Sequence, residues 1–404
     1  MNILFVHDAF PGQFIHLFKH LITEGKHTVM VASRKGSVAK LPCRQFVYDV
    51  FSSERAGNWN MGANSHAYEL GLNLVKQVIG LVGTDQEPNI IVSHASTGAA
   101  FYLKDIFPKA RFVSLCEWYY QQPKIKQGTN VKVSAFIKAA HSASLKNLPI
   151  ERDFLIADAT YSPTRFQKEQ FPAYYQDKIV QIHDGIDTDL YSPDPDATFE
   201  ANGHVFTKDD EVITYAARGM EKARGFPQFM QAIAEVLKVR PKAHVLIAAA
   251  DRVCYGNKTD PGLKQWAADN VNYDPERVHY VGLLPEHEFT KMLQISSLHV
   301  YLTIPFVLSW SMLNAMSVGV RVLASDNKSV REAISEGVNG HLVPFDDVSA
   351  IAVRMTELLE ITASTDSSSE AVLRAARQTI VDRYDSRSCL KQQLEIMGLG
   401  EYAN

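Results

Sequence analysis

Short apolar runs alternate with helical patterns along the whole chain, and this alternation leaves few folds open. ILFVH (3–7) is followed by a loop holding Pro11 and Gly12. Phe14, Leu17, Phe18, Leu21 and Ile22 then recur at helical spacing until Gly25, and HTVMVAS (27–33) is the next apolar run. A strand, a helix and a second strand in this order make a βαβ unit. Its parallel strands require helices on both faces of the sheet.

The rhythm continues through IIVS (90–93), RFVSL (111–115), FLIA (154–157) and KIVQI (178–182), each read as a buried strand. A second series starts at VITYAA (212–217) and a helix carrying Phe226, Phe229, Met230, Ile233, Val236 and Leu237. It runs on through HVLIAAA (244–250), VHYV (278–281), LHVYL (298–302), RVLAS (321–325) and HLV (341–343). YSPDPDATF (191–199), rich in Pro and Asp, reads as the linker between the series. With 404 residues, the chain is too long for one ordinary core. The expected fold is α/β, with two Rossmann-like doubly wound domains facing each other across a cleft.

Composition narrows the function classes. Apolar residues make up 46% of the chain and charged residues 21%, which fits a globular protein. A net charge of −4 argues against wholesale nucleic-acid binding and leaves room for a local basic patch. Cys43, Cys116, Cys254 and Cys389 are scattered, so they read as reduced thiols rather than a metal site. MNILFVHDAF has the character of a first strand rather than a signal peptide, and a cytoplasmic location is expected. The uncharged stretch YLTIPFVLSWSMLNAM (301–316) is broken by Pro305, Ser309 and Ser311, which excludes a membrane span.

Ligands of open parallel sheets lie outside the carboxyl ends of the strands, so the loops there carry the functional signal. HDAFPGQF (7–14) lacks G-x-G-x-x-G, which weakens a dinucleotide reading. Gly12 before a helix either admits a ligand to the backbone or is a simple turn glycine. In RGMEKARGF (218–226), Arg218, Lys222 and Arg224 stand between a strand end and a helix, the arrangement that grips a diphosphate; a solvated charge cluster is the alternative. In the 301–316 stretch, Ser309 or Ser311 reads as an N-cap, with amides 309–311 directed toward an anion and Asn314 one turn inside. An apolar core helix with an incidental Asn competes with that reading. His94 and Glu117 follow strand ends and share one rim; singly, each reads as structural.

Taken in order, FVHDAFPGQF, HASTGAAFYLKDIFP, CEWYY, IHDGIDTDLYSPDPDATF, RGMEKARGF, YVGLLPEHEF, YLTIPFVLSWSMLNAM and SDNKSVREAISEGVNGHLV resemble the family 4 glycosyltransferases over roughly residues 1–350. That family has the GT-B fold, with two Rossmann-like domains, and is retaining and metal-independent. The resemblance implies an acceptor-side domain over 1–192, a nucleotide-sugar domain over 193–385 and a terminal helix, 386–404, crossing back onto the first. It implies no cofactor, with a UDP- or GDP-linked sugar as donor substrate. Gly12 would lie beside the donor diphosphate. Arg218 and Arg224 would take the places of the family's phosphate-binding Arg and Lys, with the amides of Ser309, Trp310 and Ser311 completing the cradle. Gly282 would face the base. Glu117 falls where many relatives carry His, near the donor sugar, and it is grouped with His94 and the two arginines as catalytic. Phe306 and Asn314 replace the family's paired Glu residues, and Asn314 would meet the ribose with a neutral hydrogen bond, about half as strong as a carboxylate's.

Residues 121–150 hold Lys124, Lys126, Lys132, Lys138 and Lys146 and no acidic residue, with Val133, Phe136, Ile137 and Ala140 on one face of a helical pattern. Lys124, Lys126 and Lys132 are assigned to the acceptor side, which points to an anionic acceptor such as a lipid-linked glycan, a membrane surface or nucleic acid carrying a modified base. An exposed amphipathic helix with wet lysines is the plainer account. The functional alternatives are a transferase acting on modified DNA, an epimerase of nucleotide sugars, and a degenerate nucleotide-sugar-binding subunit.

Overall fold

A computed structural model describes residues 1–36, 40–49, 63–124, 132–254, 262–363 and 367–400. The chain forms two compact units, Met1–Gly185 joined by the segment from Arg387 onward, and Ile186–Ser386.

The first unit holds a parallel sheet of β1 (Asn2–Val6), β2 (Thr28–Arg34), β3 (Arg44–Tyr48), β4 (Ile90–His94), β5 (Arg111–Leu115), β6 (Ala159–Ser162) and β7 (Ile179–Gln181). Their order is β3-β2-β1-β4-β5-β6-β7, so the winding reverses between β1 and β4. Successive side chains of β1 point to opposite faces and both faces are covered. Ile3 and Phe5 pack with Leu17, Phe18 and Leu21 of the helix Ile15–Glu24, while Leu4 and Val6 pack with Leu70, Leu74 and Val78 of the helix Ala63–Val78. The terminal helix Ser386–Met397 adds Leu394 and Met397 to the Ile3 and Phe5 side. Its end is fastened by the Arg111 guanidinium, which donates to the Ile396 carbonyl at 2.9 and 3.1 Å.

The second unit opens with a hairpin, β8 (Phe199–Ala201) and β9 (His204–Phe206), turning on Asn202 and Gly203, both at positive φ. Its parallel sheet contains β10 (Val212–Gly219), β11 (His244–Ala250), β12 (Val278–Tyr280), β13 (Leu298–Tyr301), β14 (Val322–Ser325) and β15 (His341–Val343), ordered β12-β11-β10-β13-β14-β15. Ile213 and Tyr215 of β10 meet Phe229, Met230 and Ile233 on one face, and Val212 and Ala216 meet the group holding Met312, Leu313 and Met316 on the other.

Three expectations are corrected. FLIA (154–157) is not a strand: Phe154 and Ile156 end the helix Val133–Ile156, and β6 begins at Ala159. Phe154 lies four residues after Ile150, a spacing that a short apolar run cannot distinguish from a strand. The segment 191–199 is not a linker. Tyr191 is buried, its carbonyl accepts from Ser317 Oγ at 2.6 Å, and the Ser192 carbonyl accepts from Gln294 Nε2 at 2.7 Å. The division therefore falls between Gly185 and Ile186 and again after Ser386, rather than at 192 and 385. Among the described residues, no helix is long and apolar enough to cross a membrane. Leu394→Ala should lower the free energy of unfolding by about 2–5 kcal/mol, read as a lower urea midpoint. An unchanged midpoint would mean that the terminal helix does not complete the first unit's core.

Candidate functional site

Both units place polar side chains at the carboxyl ends of their strands. In the first unit, His7 follows β1, His94 ends β4 and Glu117 follows β5. The Ala9 amide donates to His7 Nδ1 at 2.9 Å, so the ring proton sits on Nε2 and is donated to Gln13 Oε1 at 2.9 Å. The Gln13 amide donates in turn to Glu117 Oε1, and His94 Nε2 donates to Glu117 Oε2 at 3.1 Å. The Glu117 carbonyl accepts from Gln167 Nε2 at 2.9 Å, fixing the backbone beneath the carboxylate. Gly12 has φ +47°, and a Cβ there would stand 2.5 Å from His7 Nε2, so the close approach of backbone to imidazole accounts for glycine.

Burial pushes the His94 imidazole down, but the Glu117 carboxylate outweighs it and the net shift is upward. Burial pushes Glu117 up, and the hydrogen bonds and charge of His94, with Gln13, bring it below the ordinary carboxylate range. Behind His94, Ser93 Oγ donates to Asp153 Oδ2 at 3.0 Å, and burial pushes this carboxyl up to about 7. Asp8 accepts from the Tyr48 hydroxyl at 2.7 Å and from Thr97 Oγ1 at 2.8 Å.

Sequence reasoning singled out His94, Glu117 and Gly12 of this hydrogen-bonded group and passed over His7, Asp8, Gln13 and Asp153. His7 and Asp8 follow β1 by the same placement rule that selected His94. Asp153 was legible only as an acid among the inward-facing positions Ala143, Asn147, Ile150 and Phe154 of one helix.

In the second unit, Arg218 is exposed near the end of β10 and Lys222 is exposed in the turn after it. Gly225, at φ +64°, could carry no side chain, since a Cβ would meet Leu302 Cβ at 2.4 Å. This tight turn sends Arg224 inward, where its guanidinium bonds within the chain. It is 8% exposed; Nη1 donates to Tyr301 Oη and Thr303 Oγ1, each at 2.8 Å, and Nη2 to the Val307 carbonyl at 3.1 Å. The guanidinium also lies 5.6 Å from the Phe306 ring centroid. Arg224 thus holds the loop after β13.

Ser309 caps the helix Trp310–Ser317, as expected, by accepting from the Ser311 amide at 3.3 Å. The Ser309 amide donates to Tyr301 Oη at 3.0 Å. The expectation that the amides of Ser309, Trp310 and Ser311 all face an anion is corrected, because those of Ser309 and Ser311 donate within the chain. Asn314 is buried one turn into this helix, and Gly282 follows β12 at φ +72° with nothing within 4 Å of where a Cβ would stand.

Lys124 and Lys132 are exposed, and Lys126 lies outside the described residues. The helix Val133–Ile156 leaves Val133 and Ile137 69% and 60% exposed, and buries Ala143, Asn147, Ile150 and Phe154 instead.

Comparison with known proteins identifies the family. Residues 24–191 match the model described as "Glycosyl transferase family 4 group", and residues 210–361 match "Glycosyl transferases group 1". The chain belongs to the family 4 glycosyltransferases. It is 24% identical over 241 residues to the alpha-maltose-1-phosphate synthase of Mycolicibacterium smegmatis, a match covering 56% of this chain and 58% of that enzyme's length. The sucrose-phosphate synthase of Thermosynechococcus elongatus aligns over 100% of both chains with a TM-score of 0.71 at 14% identity. Anabaena HepE in complex with UDP and glucose aligns over 98% of this chain and 99% of its own, with a TM-score of 0.67 at 15% identity. Likeness at such identities establishes the architecture, which is GT-B.

Two measurements test this glycosyltransferase's sites. Arg224→Met removes three donated bonds from a charged group and should destabilise the second unit by about 3 kcal/mol, whereas the exposed Arg218→Ala should shift stability by under about 0.5 kcal/mol. Equal thermal midpoints for the two variants would remove Arg224 from the loop's support. The second measurement concerns pH. A raised His94 contributes stability that is complete below the ordinary imidazole range and is lost as pH rises through its folded-state value. A lowered Glu117 contributes stability present above the ordinary carboxylate range and lost as pH falls through its depressed value. The windows overlap between about pH 4.3 and 6.5. Urea unfolding of wild type and His94→Gln should therefore differ most in that interval and converge toward alkaline pH; a gap independent of pH would dissolve the pair.

Proposed function

We propose that this glycosyltransferase moves a sugar from a nucleoside diphosphate sugar, UDP- or GDP-linked, to a hydroxyl of an anionic acceptor, with retention at the anomeric carbon and without a metal ion. The observation that carries this reading is Arg218, whose exposed side chain ends β10 where open parallel sheets receive phosphate ligands. Support for a nucleotide-linked donor comes from HepE, which was solved with UDP and glucose.

In this reaction the bond between the anomeric carbon and the diphosphate oxygen breaks, and its electron pair leaves with the diphosphate. The acceptor oxygen bonds to the anomeric carbon on the same face, and its proton passes to a diphosphate oxygen. Arg218 and Lys222 stabilise the charge that grows on the leaving group, helped by the positive end of the helix Trp310–Ser317. Arg224 contributes indirectly, through Tyr301, Thr303 and Val307, by keeping that helix's entrance in place. Gly282 gives the base an unobstructed stretch of backbone, and Asn314 takes a ribose hydroxyl. On the first unit, the anchored Glu117 and its partner His94 accept and donate hydrogen bonds to hydroxyls of the acceptor.

Binding is tested by thermal shift with UDP, GDP, ADP, TDP and CMP and their common sugars, because a ligand that binds only the folded state raises its stability. One nucleoside diphosphate should stand out. With that donor at saturation, Arg218→Ala should lower transfer at least about tenfold, corresponding to about 1.4 kcal/mol of transition-state stabilisation. Undiminished turnover would take Arg218 out of the mechanism.

A further inference from the structure

The residues immediately after Glu117, Trp118 to Gln122, carry a feature that the donor reaction does not use. Tyr119 turns inward, where its ring lies 5.3 Å from that of Phe171 and its hydroxyl donates to Glu151 Oε1 at 2.6 Å. Tyr120 turns outward and is 36% exposed. Its backbone is held at both polar atoms by the buried Asn147: the Tyr120 amide donates to Asn147 Oδ1 at 2.9 Å, and Asn147 Nδ2 donates to the Tyr120 carbonyl at 2.8 Å. A buried amide satisfied by one exposed residue's backbone fixes where that residue's ring stands in water. Lys146 Nζ lies 4.6 Å from the centroid of the ring. Alongside, exposed Gln122 donates to Ser144 Oγ at 3.1 Å, and exposed Gln121 donates its side-chain amide to the Gln170 carbonyl.

A rigid aromatic face, an ammonium group and side-chain amides meet the three surfaces of an acidic sugar: its apolar ring face, its carboxylate and its hydroxyls. The complementary charge comes from Lys146, whose stretch of chain, residues 132–150, contains no acidic residue. Amides and hydroxyls around Tyr120 favour a hydrogen-bonding saccharide over a lipid surface. Tyr120 is three residues from Glu117, so their Cα atoms stand at most about 11 Å apart. We propose that Tyr120, Lys146, Gln121, Gln122 and Ser144 form a binding platform for an oligosaccharide bearing uronic acids, the already-built part of the acceptor. This rests on the transferase reading given above.

The test titrates the full chain with tetragalacturonate, with maltotetraose as the neutral control, and with phosphatidylglycerol vesicles and duplex DNA as other polyanions. Tetragalacturonate should bind and maltotetraose should not. Tyr120→Ala should weaken the former about tenfold, Tyr120→Phe should retain it, and Lys146→Met should weaken it and flatten its salt dependence. Should Tyr120→Ala fail to fold, Lys146→Met decides the matter. Equal binding of the neutral tetramer, or binding to vesicles or DNA alone, would overturn the proposal. UDP and GDP titrated into the same wild-type preparation report separately on the donor reading: either one bound with no acidic saccharide bound sinks the platform, and saccharide bound with neither nucleotide bound sinks the donor site.

Discussion

Burial of both faces of a parallel sheet is the constraint from which the rest of this protein follows. Ile3 and Phe5 on one side of β1, with Leu4 and Val6 on the other, leave no position along the strand for a group that must meet water or substrate. Polar chemistry is therefore displaced to the carboxyl ends, where His7, His94 and Glu117 collect in one unit and Arg218 stands in the other. The same burial explains why Tyr301 and Thr303, just past the apolar part of β13, require the Arg224 guanidinium: their hydroxyls lie inside and need a partner.

The two units handle charge differently. In the first, a carboxylate accepts from Gln13 and His94, which together hold it below the ordinary carboxylate range. In the second, one arginine is spent internally and one is left in water. A loop without a carboxylate at Phe306 or Asn314 is thereby stiffened from below, by a cation that crosses to Tyr301, Thr303 and Val307.

Much of this was legible in the sequence. The strands of both sheets stood out where apolar runs were uninterrupted, as at ILFVH and HVLIAAA, and the helix on Phe229, Met230, Ile233 and Val236 was visible from spacing alone. β3 was missed because only three apolar residues, Phe46, Val47 and Tyr48, follow Arg44 and Gln45, and it stands at the sheet edge. The β8–β9 hairpin was missed although Asn202-Gly203 is a turn signal, because its strands hold three residues each. Placement at strand ends found His94 and Glu117, but it could not show that Gln13 joins His7 to Glu117, since that bridge spans 104 positions of sequence. Nor could the basic spacing of RGMEKARGF reveal that Arg224 faces inward. That direction is set by the left-handed Gly225 and its contact with Leu302, which only the fold brings together.

The second unit is an insertion within the first. Its two ends meet at Ile186, whose amide donates to the Tyr384 carbonyl at 2.7 Å and whose carbonyl accepts from the Ser386 amide at 2.8 Å. On the ribosome this sets an order. Residues 186–386 are complete while the sheet that precedes them still lacks Leu394 and Met397, which emerge after them. Until residues 386–397 follow, the nascent chain carries an uncovered apolar patch over Ile3 and Phe5, and a chain cut between Ser386 and Leu394 would keep the whole second unit while exposing the first unit's core.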